Sequence, residues 1–474
     1  MKILYVTSEA NPFAASGGLG DVMGALPMAV SALSNDVSVI LPLYKNIDPE
    51  LKEKFIHVTD ITFNLSWRKT GASIYKHELN NVSYFFVENS YYFERANLYG
   101  EYDDGERFAF FSMSVIEFIL KENFFPDILH ANDWQGALSV IYLKTKYSQI
   151  KRLSKIKTVY TIHNIEYQGK YDKYILNDVF GLENNSLSIL EYNGSLNLMK
   201  GALTVSDYIT TVSPTYRNEL SYDFFSFGLS DIIKSIKNKF SGIINGIDYS
   251  YFSPKKDNDI YFKYTDKTFA EGKEKNKISL QQELCLEERR DIPLLSMITR
   301  LTETKGIDLI TNVIEELLSE KVQFVLLGTG EKRYEDYFLH LEEKYRNMKA
   351  LIKFDRALSK KIYASSDIFI MPSKSEPCGL AQMIACSYGT IPVVRSVGGL
   401  ADSIKGYGKD DNANGFCFNN FNAHELLYTV KDAIKIYNDK EKWLRLTRNA
   451  ISSDFSWNKS AKEYVQIYND LLKW

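Results

Sequence analysis

The chain has 474 residues, of which 45% are hydrophobic and 25% are charged, and its formal net charge is −3. This composition is typical of a soluble globular protein, and the small net charge provides no field that would recruit nucleic acid or an anionic membrane. Single cores seldom grow beyond about 250–300 residues, so we expect two domains. The four cysteines include no C-x-x-C pair, which argues against a disulfide framework and a zinc cluster.

The first ten residues contain one lysine and a short apolar run that ends at Thr7-Ser8-Glu9. A secretory signal peptide has a longer apolar segment, so we expect none here. No apolar run approaches the roughly 20 residues that a membrane-spanning helix requires. The sequence therefore predicts a cytoplasmic protein with neither a membrane partner nor a nucleic-acid partner.

In the first half of the chain, aliphatic runs alternate with amphipathic stretches, a pattern that predicts βα units around a parallel sheet. Strands are predicted at Lys2–Val6, Val37–Leu41, Ser83–Val87, Ile128–Ala131, Lys157–Thr161 and Tyr208–Thr211. Helices are predicted at Asp21–Leu33 and Arg107–Lys121, among others. The strand-like segment Phe55–Leu65 indicates a local antiparallel excursion.

A second series of strands and helices follows in the other half of the chain. Its strands are predicted at Leu294–Ile298, Gln323–Leu327, Ala350–Phe354, Ile368–Met371 and Ile391–Val394. Its helices are predicted at Gly306–Ser319, Lys360–Ala364 and Gly379–Tyr388. Residues 255–280 are polar and charged, which favours a solvated loop.

These patterns predict an α/β protein with two doubly wound, Rossmann-like domains that face each other across a deep cleft. The domains are predicted at 1–244 and 257–455, with a Gly- and Asp-rich linker at 245–256 and a C-terminal helix at 456–474 that packs back on the first domain. Ligands of such sheets bind at the carboxyl ends of the strands. The candidate site residues follow predicted strands.

The segment NPFAASGGLGDV, residues 11–22, follows the first predicted strand and contains no lysine or arginine. Gly17 and Gly18 lack a Cβ atom, so an anion can approach the main chain at the start of the next helix. Asp21 is a candidate to cap that helix or to bind hydroxyl groups. The G-G-x-G spacing is unlike a dinucleotide fingerprint. A purely packing role for the glycines is the alternative.

The second half supplies positive charge. Arg300 and Lys305 come just after a predicted strand, where two cations suit a diphosphate, although isolated surface cations usually only solvate. Glu376 follows another predicted strand, where a carboxylate beside free amides can pair with sugar hydroxyls. Gly398 and Gly399 form a second pair of adjacent glycines at the start of a helix, like Gly17 and Gly18.

The motifs SGGLGDVMGALP, HANDWQGAL, YTIHNIEYQG, TTVSPTY, GIINGID, RLTETKGIDL, LGTG, PSKSEPCGLAQ and YGTIPVVRSVGGLAD occur in this order. Together they resemble the motifs of bacterial glycogen synthases and plant starch synthases. The resemblance runs from residue 1 to about 460. It implies a GT-B fold and the transfer of glucose from ADP-glucose to the non-reducing end of an α-1,4-glucan, with retention of the anomeric configuration and without a metal or other cofactor.

The resemblance also implies roles for individual residues on the donor side. Arg300 and Lys305 would bind the diphosphate of the donor and stabilise the departing ADP. Glu376 would hold the glucose hydroxyls, and His163 would help to position the reacting centre. The remaining donor-binding residues would be Gly17, Gly18, Asp21, Phe354 (stacked on adenine), Cys378, Gly379 and Leu380 (through their amides), Gly398 and Gly399.

On the acceptor side the resemblance implies Asp133 near the reacting centre, with His130, Gln135 and Asn164 and the segment 99–112 facing the glucan. Structural alternatives stay open: a hydrogen-bonded structural histidine at 163, a core position for Phe354, and a small packing residue at Cys378. The run Tyr91–Phe93 fits either glucan stacking or the core. No residue stands out as a general base or a covalent nucleophile.

The sequence departs from the family pattern at three positions. Ala15 replaces the lysine of the K-x-G-G-L motif, Gln135 replaces a histidine, and Val397 replaces a threonine. Loss of a cation about 4 Å from a phosphate corresponds to a net ~2–3 kcal/mol, or roughly 30–150-fold in rate. Because the other motif residues remain, the sequence favours a working synthase. A glucan-binding paralogue without activity and a transferase for another sugar nucleotide are the alternatives, and the oligomeric state is not predicted.

Overall fold

The computed structural model describes residues 1–473, which form two compact units. The first unit contains residues 1–246 together with the C-terminal residues from Trp457 onward, and the second contains Ile247–Ser456. The first two residues of the predicted linker, 245–256, thus group with the first unit, and its other residues group with the second.

The first unit is built on a nine-stranded sheet and a small three-stranded one. Its strands are β1 (Lys2–Val6), β2 (Asp36–Pro42), β3 (Ile56–Leu65), β4 (Arg68–Leu79), β5 (Val82–Glu88), β6 (Ile128–Asn132), β7 (Lys157–Ile162), β8 (Lys170–Tyr171), β9 (Glu191–Tyr192), β10 (Ser195–Asn197), β11 (Tyr208–Thr211) and β12 (Phe240–Gly242). The large sheet has the spatial order β12-β11-β7-β6-β1-β2-β5-β4-β3.

All neighbouring strands from β12 to β5 run parallel, whereas β3 and β4 form an antiparallel extension at one edge. This extension confirms the excursion predicted at 55–65. The helices of the unit are Gly18–Ser31, Pro49–Lys52, Ser90–Phe93, Asp104–Lys121, Asp133–Lys144, Ile175–Asp178, Leu187–Leu190, Leu198–Val205, Pro214–Glu219, Asp223–Ser226, Ser230–Ser235 and Trp457–Lys473.

The second unit has one fully parallel sheet, in the spatial order β15-β14-β13-β16-β17-β18. Its strands are β13 (Leu294–Ile298), β14 (Gln323–Leu327), β15 (Met348–Leu351), β16 (Ile368–Met371), β17 (Ile391–Arg395) and β18 (Phe416–Phe418). Its helices are Phe269–Glu283, Ile307–Leu318, Lys332–Lys344, Arg356–Ser365, Ala381–Ser387, Gly398–Ser403, Ala423–Asn438 and Lys440–Ser452.

The prediction of a solvated loop over 255–280 is wrong, because a helix occupies Phe269–Glu283 and one face of it is buried. Two lysines attach this face to the rest of the unit. Lys273 Nζ donates to the Thr390 hydroxyl at 2.8 Å, and Lys277 Nζ lies 2.7 Å from Asp367. An amphipathic helix is recognised in a sequence by apolar residues that recur at helical spacing. Lysines at buried positions interrupt this pattern, so this helix was not recognised.

The C-terminal helix Trp457–Lys473 packs on the first unit. Tyr468 is fully buried, and its hydroxyl lies 2.9 Å from the Tyr5 hydroxyl and 2.7 Å from His130 Nδ1. These contacts cover the central strands β1 and β6 from one side. No helix within residues 1–473 is both long enough and apolar enough to cross a bilayer.

Candidate active site

In each unit the predicted site residues follow neighbouring strands. The glycine pair, Asp133 and His163 follow β1, β6 and β7, which are adjacent in the first sheet. The loops with Lys305 and Glu376 follow β13 and β16, which are adjacent in the second. Parallel strands bring their carboxyl ends to one sheet edge, so each unit collects its site residues at such an edge.

The glycine loop, residues 15–18, is exposed at its two glycines. A Cβ atom added to Gly17 or Gly18 would meet nothing within 4 Å, so packing within the chain does not explain either glycine. Within the described residues, the amides of Gly18 and Leu19 have no acceptor, because they open the helix Gly18–Ser31. The helix start therefore offers main-chain donors to a ligand.

The buried carboxylate of Glu9 anchors this loop through hydrogen bonds. Glu9 Oε2 accepts hydrogen bonds from the Ser16 amide at 2.6 Å and the Gly17 amide at 3.3 Å. Its Oε1 accepts from the Ser16 hydroxyl at 2.8 Å and from the Tyr99 hydroxyl at 2.7 Å. The Gly17 amide is thus already engaged, and Gly18 is the glycine whose amide is available.

Glu9 is a site residue that the motifs of the sequence do not indicate. Its partners are two main-chain amides and two hydroxyls, and main-chain groups leave no trace in a sequence. The one available signal was an acidic residue three positions after the end of β1, between this strand and the glycine loop. Asp21, which was singled out, accepts a 2.5 Å hydrogen bond from the Asn11 side chain.

Asp133 and His163 lie together, as their motifs predict. Asp133 Oδ1 accepts from the amide of His163 at 2.8 Å and from that of Asn164 at 3.4 Å. Asp133 has φ 50°, in the left-handed region that Asp and Asn tolerate best among non-glycine residues. Burial raises the pKa of its carboxyl to about 7, and the charge of Glu9 contributes to this shift.

His163 is held in one tautomer. Asn132 Nδ2 donates to two carbonyl groups, so Asn132 Oδ1 is the atom that faces His163 Nε2 at 2.9 Å. Nε2 therefore carries the hydrogen, and Nδ1 is left as an acceptor. Burial lowers the pKa of His163 to about 3, so the ring is neutral at physiological pH. A neutral ring with a free acceptor suits a sugar hydroxyl better than a phosphate.

His130 does not fit the predicted acceptor-side role. Its ring is fully buried, with Nδ1 bonded to Tyr468 and Nε2 2.5 Å from the Thr161 hydroxyl. Burial lowers its pKa to about 3. Since no ring atom is available to a ligand, His130 holds the sheet to the C-terminal helix. The sequence could not show this because Tyr468 lies 338 residues away.

Gln135 lies in the first turns of the helix Asp133–Lys144 and is buried. Its Oε1 atom has no hydrogen-bond partner within residues 1–473. A buried unpaired acceptor is unfavourable unless a ligand or a water satisfies it. This fits the acceptor-side prediction for Gln135.

In the second unit, Lys305 and Glu376 form an ion pair. Lys305 Nζ lies 2.6 Å from Glu376 Oε2, and the Ser373 hydroxyl donates to the same oxygen at 3.0 Å. The two loops are also joined through the main chain, since the Lys374 amide donates to the carbonyl of Thr304. Glu376 is buried by these contacts.

Arg300 is exposed, and its guanidinium has no partner within residues 1–473. It stands in the same loop as Lys305, directly after β13. The amides of Gly379 and Leu380, before the helix Ala381–Ser387, also lack acceptors in the described part of the chain. A free guanidinium, a half-buried ammonium and open amides are the groups that bind phosphate and hydroxyl oxygens.

Gly398 and Gly399 have a packing function. A Cβ atom on Gly398 would lie 1.9 Å from the Glu376 carbonyl oxygen, and one on Gly399 would lie 2.1 Å from that of Cys378. The Gly399 amide donates to the Glu376 carbonyl at 3.1 Å. The glycine pair thus lets the loop that carries Glu376 lie directly on the start of the helix Gly398–Ser403.

Phe354 is the last residue of the predicted strand Ala350–Phe354, but the observed strand β15 already ends at Leu351. The side chain is 81% exposed, so the core alternative for Phe354 is wrong. An exposed aromatic ring in a loop after a strand is available for stacking, and the adenine-binding role stays a prediction.

Two family models match the chain, one described as "Starch synthase catalytic domain" at residues 2–235 and one as "Glycosyl transferases group 1" at residues 286–452. The glycogen synthase of Natranaerobius thermophilus is 44% identical over 482 residues, which cover 100% of this chain and 97% of the relative. The chain belongs to the glycogen synthase family. The glycogen synthase of Bacillus subtilis is 43% identical over 478 residues, with coverage of 100% and 99%.

A solved structure extends this likeness to the fold. The catalytic domain of starch synthase IV from Arabidopsis thaliana, bound to ADP and acarbose, matches with a TM-score of 0.92 and 34% identity. The match covers 100% of this chain and 99% of the other. The predicted GT-B fold with two Rossmann-like domains is confirmed.

Proposed function

We propose that the protein transfers glucose from ADP-glucose to the non-reducing end of an α-1,4-glucan, with retention of the anomeric configuration. The observation that carries the proposal is the group of Arg300, Lys305 and Glu376 after β13 and β16. It combines two cations for a diphosphate with a carboxylate for sugar hydroxyls. The ADP and acarbose bound by the Arabidopsis relative represent a nucleotide product and an oligosaccharide, which are the two ligand classes of this reaction.

Charge compensation at the leaving group accounts for most of the proposed rate acceleration. The bond between the glucose C1 atom and the ADP oxygen breaks, and negative charge grows on the departing phosphate. Lys305 is held next to Glu376 before this happens, so it needs little reorganisation, and Arg300 supplies a second cation from the same loop. We propose that the reaction uses these side-chain cations and no metal ion.

The sugar is held by groups that both donate and accept. In the second unit, Glu376 accepts from sugar hydroxyl groups, and the amides of Gly379 and Leu380 donate to them. In the first unit, the His163 Nδ1 atom is an acceptor for a hydroxyl group. Asp133 is set against the main chain of residues 163 and 164, near the acceptor. In this proposal the acceptor hydroxyl forms the new bond to the glucose C1 atom, and its proton passes to the phosphate oxygen of the departing ADP, so that no separate base is required.

One observation favours a second function. Ala15 contributes no cation where the family has a lysine, and Glu9 places a carboxylate directly behind the glycine loop. A protein that binds glucan without transferring glucose would tolerate both features. The retention of Arg300, Lys305 and Glu376 favours the enzyme, because a glucan-binding protein has no need of a diphosphate site.

The proposed function is tested by incubating the purified protein with glycogen and either ADP-glucose or UDP-glucose. We expect ADP release that depends on glycogen, chains lengthened by α-1,4-linked glucose, and a slower reaction with UDP-glucose. Glycogen binding without ADP release, in the wild type and in Ala15→Lys, would establish the glucan-binding alternative. Faster turnover of UDP-glucose would reassign the donor.

A further inference from the structure

Glu9 connects two loops that belong to different parts of the proposed site. On one side it holds the Ser16 and Gly17 amides of the glycine loop. On the other it accepts from the Tyr99 hydroxyl, which also lies 2.7 Å from the Ser8 hydroxyl. Glu9 is 3% exposed, so these bonds form in a site largely shielded from water.

Tyr99 belongs to the segment 94–103, which joins two helices and is named here the Tyr99 segment. The ring of Tyr102 in this segment is fully exposed, whereas the hydroxyl of Tyr99 is directed inward to Glu9. The Arg107 side chain donates to the Leu98 carbonyl at 3.2 Å and fixes the segment from the interior. The Tyr99 segment thus presents an exposed aromatic ring on a backbone that Glu9 and Arg107 hold in place.

We propose that Glu9 is a positioning residue that fixes the glycine loop and the Tyr99 segment in one arrangement, so that donor and acceptor meet preset contacts. The inference rests on the proposed function, together with the donor role that the resemblance implies for Gly17 and Gly18 and the glucan role that it implies for residues 99–112. A single carboxylate with four donors from two loops makes the position of each loop dependent on the other. Because both loops are ordered before binding, they lose less conformational entropy when each substrate binds.

Glu9 is suited to this role because its two oxygens are divided between different kinds of donor. Oε2 receives main-chain amides, which can only donate, and Oε1 receives the hydroxyls of Ser16 and Tyr99, which can also accept. A glutamine at position 9 can therefore direct its oxygen to the amides and its NH2 group to the hydroxyls. An alanine removes the acceptor of all four hydrogen bonds, and of these four donors only the Tyr99 hydroxyl keeps another partner, the Ser8 hydroxyl.

The test is steady-state kinetics in which ADP-glucose and a maltooligosaccharide acceptor are both varied. For Glu9→Ala we expect both KM values to rise about tenfold, whereas Glu9→Gln keeps both within about twofold of the wild type. Ser16→Ala is expected to raise mainly the KM for ADP-glucose, and Tyr99→Phe mainly that for the acceptor, by roughly threefold each, which corresponds to one hydrogen bond of ~0.7 kcal/mol.

Thermal unfolding of each variant separates positioning from folding. If Glu9→Ala does not fold, Glu9→Asp replaces it, because the carboxylate then lies one methylene further back and cannot reach both loops. Both KM values unchanged in the folded variant, or only one of them raised, would overturn the inference. If the wild type transfers no glucose, calorimetry measures instead the affinity of each variant for ADP and for the maltooligosaccharide. The role of Glu9 can therefore be tested even if the proposed function is wrong.

Discussion

Lys305 Nζ lies 2.6 Å from Glu376 Oε2, and this pair joins the loops that follow two adjacent strands of the second unit. Each partner belongs to the proposed donor site, one for phosphate and one for sugar. Each side chain satisfies the charge of the other. Donor binding must therefore compete with this pair, or extend it, for the ammonium group.

Lys305→Met is expected to reduce both activity and stability. Removal of one preorganised cation lowers kcat by about 10²–10³-fold. Glu376 is then left buried without its ion-pair partner, which costs ~2 kcal/mol of unfolding free energy, below the full value for a buried pair because Lys305 is partly exposed. The measurements are ADP release and chemical denaturation.

Arg300→Met is the matched variant, because Arg300 has the same charge in the same loop but its guanidinium has no partner within residues 1–473. We expect kcat to fall by about 10²-fold while the unfolding free energy stays within ~0.5 kcal/mol of the wild type. Equal destabilisation by both substitutions would show that the pair with Glu376 does not distinguish the two cations.

Ala15→Lys is expected to raise kcat/KM for ADP-glucose by about 30-fold, since a cation near the donor phosphates contributes a net ~2 kcal/mol. Ala15→Gln is the control, because it adds a side chain that carries no charge. An equal rate for the two variants would mean that charge at position 15 has no effect in this chain.

Asp133→Asn is expected to stabilise the protein at pH 8 and to have little effect at pH 4. Asp133 has a folded-state pKa of about 7, above its ordinary value, so the folded state binds the additional proton. The stability linked to this group is present below its ordinary pKa and is lost as the pH rises through about 7. Asparagine keeps the single acceptor oxygen that the amides of His163 and Asn164 use.

The measurement is the thermal midpoint of the wild type and of Asp133→Asn between pH 4 and pH 8. The difference between the two proteins should widen as the pH rises. A constant difference across the range would mean that Asp133 titrates at its ordinary pKa in the folded protein.

Tyr468→Phe should lower the unfolding free energy by ~1–3 kcal/mol, because His130 Nδ1 and the Tyr5 hydroxyl then lose a buried partner. Tyr428→Phe provides the control, since Tyr428 is exposed. Unfolding in denaturant distinguishes them, and equal stability of the two variants would refute a structural role for the contact between His130 and the C-terminal helix.

A chelator is expected to leave the rate unchanged, because Arg300 and Lys305 are proposed to compensate the diphosphate without a metal ion. The assay compares ADP release after treatment with EDTA and after readdition of Mg²⁺. A rate that falls with EDTA and recovers with Mg²⁺ would contradict this part of the proposal.

The central parallel strands of both sheets could be predicted from the sequence, because parallel strands buried on both faces are short, nearly continuous apolar runs. The edge strands β12 and β18, of three residues each, and the antiparallel strand β4 were not predicted. The strands Leu294–Ile298 and Ile368–Met371 have the predicted bounds. The helix Phe269–Glu283 could not be predicted, because its buried face carries Lys273 and Lys277.

The candidate site was predictable where function required a charged side chain in a loop, as for Lys305 and Glu376. The contacts that hold these loops in place could not be predicted from the sequence. Glu9 acts on main-chain amides, and His130 is covered by a helix more than 300 residues away in sequence. Such contacts depend on tertiary structure alone, and the packing role of Gly398 and Gly399 is of the same kind.

The most direct test of the account is a crystal structure of the protein with ADP. We expect the diphosphate oxygens to accept hydrogen bonds from the Arg300 guanidinium and the Lys305 ammonium, with the contact between Lys305 and Glu376 lengthened or shared with phosphate. A nucleotide bound elsewhere, with Lys305 still held by Glu376 and Arg300 directed into solvent, would contradict the proposed donor site.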